Sequence, residues 1–168
     1  AGVGHTVTYD GTSTIRVDSH LVWDAQAAAE GDNVWNTTNT NWQYDAAESA
    51  FKTDQKVIFA ALDGVNTTVE LGENVTANSI LLTGAFNFSV AEDSSYSLAT
   101  TQGIAKEGNG SFTKVGAGTL IMSNADALAA GVHIAGGALK LSDTQGNTVN
   151  SGSILQGASN TSAWQESG

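Results

Sequence analysis

Between Gly118 and Ser142 the chain writes one short phrase twice, GTLIMS and then GALKLS, with Thr119 and Ala138 standing 19 residues apart. In each copy a glycine and a small residue precede apolar side chains at alternate positions, Leu120 and Met122 in the first, Leu139 and Leu141 in the second. Alternation of this kind puts every second side chain on one face of a strand. A step of roughly 20 residues is the length of one coil of a solenoid, which buries its apolar face only by stacking on the next coil. The feature therefore predicts an all-β chain, a right-handed parallel β-helix, with Phe112, Val132 and Ile134 joining the inward set. A β-sandwich is the alternative architecture.

The same rhythm runs upstream through KVIFAAL, TTVEL, NSILLT, FNFSVA, YSLATT and GIAKEG, broken by DG, GEN, GA, EDSS and QG. These gaps are too short for intervening helices, which disfavours a doubly wound α/β fold. The first 22 residues alternate as well, in the pairs Val7 and Tyr9, then Ile15 and Val17. Composition agrees: 19 Gly, 19 Thr, 16 Ser and 13 Asn with no Pro favour strands and turns. The breaks GAG, NADALAAG and AGG are read as corners or loops, with glycines 116, 118, 136 and 137 allowing tight backbone. By this reading Lys114 is a solvent-facing side chain lying along neighbouring rungs, and His133 points outward between Val132 and Ile134.

Residues 23–56 interrupt the rhythm and carry Trp23, Trp35 and Trp42 with Tyr44 and Phe51. AQAAAE and AAESAF could each form a helical turn or two, since Ala and Glu favour helix. The segment reads as a cap whose aromatics plug an open end of the coil. One domain is expected over 1–168: a strand and Trp-rich cap in 1–56, stacked repeats in 57–143, and a partial rung or frayed tail in 144–168. Were the aromatics exposed, Trp35, Trp42 and Tyr44 would be candidate glycan-stacking residues, with nearby Asn and Asp binding hydroxyls.

The formal charge of −11 opposes nucleic-acid binding, which needs clustered Lys and Arg. Absence of Cys removes disulfides, thiolate metal sites and a Cys nucleophile. No apolar run approaches the ~20 residues of a spanning helix, so no membrane insertion by this segment is expected. AGVGHTVTYD reads as an internal or processed start, and WQESG as a cut end. Lys114 precedes both of its glycines and a strand follows, unlike a phosphate-binding loop. His5, His20 and His133 are scattered. The carboxylate pairs Glu70 with Glu73, Glu92 with Asp93, and Asp18 with Asp24 lie mostly at turns, where solvated acids are the rule. Asp10, Asp32, Asn33 and Asp63 supply loop oxygens without a calcium-loop pattern. No catalytic, metal or cofactor-binding residue is assigned, and no enzyme activity is expected.

SFTKVGAGTLIMS followed by GVHIAGGALKLSD resembles the autotransporter-associated, or passenger-associated transport, β-strand repeat of bacterial exported proteins. The likeness runs over Phe112, Thr113, Lys114, Gly116, Gly118, Thr119 and Leu120, then Gly131, Val132, Gly136, Gly137, Leu139 and Leu141. Phe112 replaces the usual Leu, and NADALAAG replaces a shorter Asn, Tyr and Gly turn. NVWNTTNTNWQYD through VELGENVTANSILLTG is similar, less specifically, to the Trp-rich unit that often precedes such repeats. The resemblance implies a right-handed parallel β-helix from a chain exported to the bacterial surface or secreted, anchored by an outer-membrane barrel. The segment would be a passenger stalk or scaffold and an adhesin candidate, with a glycan or a surface protein as partner and self-association through coil ends. A carbohydrate-binding module or glycan-active enzyme fragment is the alternative.

Overall fold

The computed structural model describes residues 5–9, 15–25 and 33–142. The protein is a parallel β-solenoid of about 4 turns, 53% strand and 4% helix. Three faces wind around one core. The first stacks β2 (Ile15–Trp23), β6 (Lys56–Phe59), β9 (Ser79–Leu82) and β12 (Ile104–Lys106). The second stacks β3 (Val34–Trp35), β7 (Thr68–Leu71), β10 (Ala85–Val90), β13 (Ser111–Val115) and β15 (His133–Ile134). The third stacks β8 (Val75–Ala77), β11 (Ser95–Thr100), β14 (Thr119–Ser123) and β16 (Ala138–Ser142). Neighbours within each stack pair in parallel, which excludes the β-sandwich.

Register carries the sequence repeat into space. Thr119 lies opposite Ala138, so the 19-residue step is one turn of the coil. Leu21, Val57, Ile80 and Ile104 form one interior column. Val75, Leu98, Met122 and Leu141 form another. A one-residue slip would turn each strand's apolar set outward, so burial excludes it.

The core changes character along its length. Near the beginning it is aromatic: Trp23 meets Trp42 edge-on at 5.0 Å, and Trp35 meets Phe51 at 5.3 Å. Phe59 links this cluster to Phe86 and Phe88, each at 5.2 Å. Phe88 then stacks on Phe112 at 4.0 Å, and beyond Phe112 the interior becomes aliphatic.

The first face is closed at both ends by different devices. β4 (Trp42–Tyr44) and β5 (Ala47–Ser49) form an antiparallel hairpin, and β4 pairs antiparallel with β2. β1 (His5–Tyr9) pairs antiparallel with the start of β2. At the other end NADALAAG is not a loop. Its residues form helix α1 (Asn124–Ala130), which packs on β12 where the next strand of that face would lie. Ser123 caps it by accepting from the Asp126 N–H, and Gly131 ends it at φ 58°. Ala and Leu carry the helix between those two signals. Of the two other helical candidates, Ala47–Ser49 in AAESAF is strand β5. AQAAAE beyond Ala25 lies outside the described residues, as does the expected tail 144–168.

Candidate functional site: an outer groove and a buried corner

The structure corrects the aromatic site. Trp35 is 0% and Trp42 1% exposed, so neither ring offers a face to a sugar. Both fill the first coils, where packing against Phe51 and Phe59 removes a large apolar area from water. Tyr44, on the hairpin, is 38% exposed. The three do not form a common exposed platform.

The remaining candidates are dispersed. His133 is exposed, pointing outward as its strand parity requires. Glu73 Oε1 accepts the Thr37 N–H at 2.6 Å, tying two turns together. Asp24 accepts from Gln43 Nε2 at 2.9 Å, and Asn33 Nδ2 donates to the Thr68 carbonyl at 3.2 Å. Glu92 and Asp93 sit exposed in a turn, and Asp63 is exposed in another. Asp10, Asp32 and the His5 and Asp18 side chains lie outside what the structure describes. Among the described residues, no three His, Cys, Asp or Glu side chains gather to hold a metal ion, and no helix is long and apolar enough to cross a membrane.

What the fold does bring together is a groove of about 900 Å³ on the outer side of the third face. Outward residues of successive strands form its floor: Ser97 opposite Ile121, and Ala99 two residues on. Helix α1 makes one wall, through Ala125, Asp126 and Ala129. Asp126 is 5% exposed and its carboxylate is already engaged. Thr100 Oγ1 donates to Oδ1 at 2.6 Å, and Ser123 Oγ donates to Oδ2 at 2.6 Å. The groove therefore presents hydroxyls beside small apolar patches, with its one carboxylate spent on holding the helix.

The second feature overturns an expectation. Lys114 is not solvent-facing; it is wholly buried, opposite Phe88 on one side and Ile134 on the other. Its Nζ donates to the carbonyls of Val115 at 2.6 Å, Gly116 at 3.0 Å and Gly136 at 3.2 Å. Burial holds the amine below the usual lysine value. The signal was in the alternation: Phe112 points inward, and Lys114 two residues later must share its face. Charge outweighed parity in the sequence reading. Asp126 was also missed, although Ser123 followed by an acid three residues later is a capping-box spacing.

These elements define the protein as a parallel β-solenoid with an aromatic first end. Comparison with family models, with curated proteins and with solved structures gives no match.

Proposed function

We propose that this chain is a structural scaffold of an exported bacterial surface protein, a stretch of coil that carries flanking segments away from the cell. The observation that supports it is the unbroken interior column structure, in which each turn buries the apolar face of the last. Such stacking gives a stiff rod without a disulfide or metal, a usable property in a Cys-free chain. The export and surface part of the reading is drawn from the resemblance of residues 111–143 to a passenger repeat.

A scaffold tolerates a change of length. Because Ala85 lies opposite Ser111, deleting residues 85–110 removes one whole turn and leaves every following strand in register. The shortened coil should unfold cooperatively and be shorter by about 4.8 Å, the spacing between paired strands. In the parent chain, flanking segments should still be displayed, as read by antibody on intact cells. Loss of display by a shortened coil that is folded would overturn the reading.

The groove supports a second reading, a module for a neutral glycan, because hydroxyls that both donate and accept match sugar hydroxyls. Titration with neutral trisaccharides should then shift amide resonances of β11 and β14, and Ile121→Trp should abolish the shifts. Shifts spread over the whole coil, or none at all, would remove this reading.

A further inference from the structure

Three backbone carbonyls converge on the buried Lys114 side chain where β13 turns into β14. Two belong to that corner, Val115 and Gly116, and the third, Gly136, belongs to the corner one turn later. Carbonyl oxygens facing one another repel unless a donor or cation sits between them. Lys114 Nζ fills the position, and an ammonium has three N–H donors for three acceptors. Among the described residues all three of its hydrogen bonds go to carbonyls.

The surrounding backbone is built to this size. Gly116 and Gly137 lie at φ 74° and 67°, in the left-handed region that glycine adopts without strain. A Cβ on Gly137 would stand 2.8 Å from Nζ and would collide with the Gly116 and Gly118 carbonyls. The cradle therefore closes around a group that has no room for more than an ammonium.

We propose that this double corner is a carbonyl cage for a primary alkylammonium, that Lys114 is its built-in occupant, and that the occupant selects the register in which the turn bearing β15 and β16 docks. Backbone bonds from the Ala135 and Gly136 N–H groups to the Lys114 carbonyl also join the two corners, but a hydrophobic side chain at 114 would fill the volume and leave the Val115, Gly116 and Gly136 carbonyls without the donor they share. A single polar group buried in an apolar interface is a known way to fix register. The inference goes beyond the scaffold reading and stands or falls separately from it.

The test compares Lys114→Met with Lys114→Ala by amide hydrogen exchange. In both, amides of residues 132–142 should exchange at least tenfold faster while those of β6 to β10 keep their protection. Adding n-propylammonium, the part of the lysine side chain that alanine lacks, to Lys114→Ala should restore protection; n-propanol, of similar shape but uncharged, should not. Full protection in Lys114→Met, or equal rescue by the alcohol, would overturn the proposal by showing that packing suffices. Should neither variant fold, the unaltered protein decides: a ¹⁵N spectrum near pH 6 should show one lysine ammonium with slowly exchanging protons, and its absence counts against the cage.

Discussion

Individual buried groups differ in what they have been given to bond. The Trp23 indole donates to the Asn66 carbonyl at 2.9 Å, whereas the indole N–H groups of Trp35 and Trp42 are buried without a partner among the described residues. Phenylalanine at 35 therefore removes an unsatisfied donor together with some packing, while at 23 it strands an acceptor. Trp23→Phe should be the more destabilising by about 1 kcal/mol, the cost of a lost hydrogen bond, in parallel chemical denaturation curves. Lys114 gives a pH effect of definite sign. Its folded-state value lies below 10.5, because burial disfavours the ammonium. Between that folded value and 10.5 the unfolded chain binds more protons, so stability rises with pH across the window. Subtracting the curve of Lys114→Met should isolate that rise; a falling difference would contradict it. Residue identity alone suggested surface for this lysine, and only its position in the alternation carried the true answer. The tryptophans were legible in the same way, since a coil end must be plugged, but whether a particular indole finds a partner depends on folds of backbone remote in sequence.

At the scale of elements, the closing devices were the least legible parts and the stacked strands the most. KVIF, SILL and SFTKV alternate plainly, and they became β6, β9 and β13. The hairpin β4–β5 was hidden because its turn uses Asp45 and Ala46 at φ 51° and 62°, where glycine and asparagine are the expected signals. Alanine in that conformation is strained by about 1–2 kcal/mol, partly offset by the greater freedom glycine would give the unfolded chain. Ala46→Gly should therefore stabilise the protein by about 0.5–1 kcal/mol, visible as a higher denaturation midpoint with an unchanged slope. Helix α1 was hidden for another reason. Its 7 residues are too few to show a helical period, so only the caps at Ser123 and Gly131 announce it.

For the whole molecule, stacking makes stability additive along the coil axis, with each turn depending on its neighbours. An interior turn then supports two others, and a turn nearer the end of the described coil supports fewer. Leu120 and Leu139 occupy the same column one turn apart, facing each other across β14 and β16. Leu120 is 0% exposed and sits between Tyr96 and Leu139, whereas Leu139 is only half-buried. Aspartate at either site puts an unpaired charge against apolar neighbours, and its cost grows with the depth of burial. Leu120→Asp should unfold the coil through β11 and β14, erasing the cooperative transition. Leu139→Asp should leave the transition of the earlier turns in place and release mainly β15 and β16, read as fast exchange confined to residues 132–142. Equal loss from the two substitutions would mean that the coil melts as a single unit, and the additive picture of its turns would have to be given up.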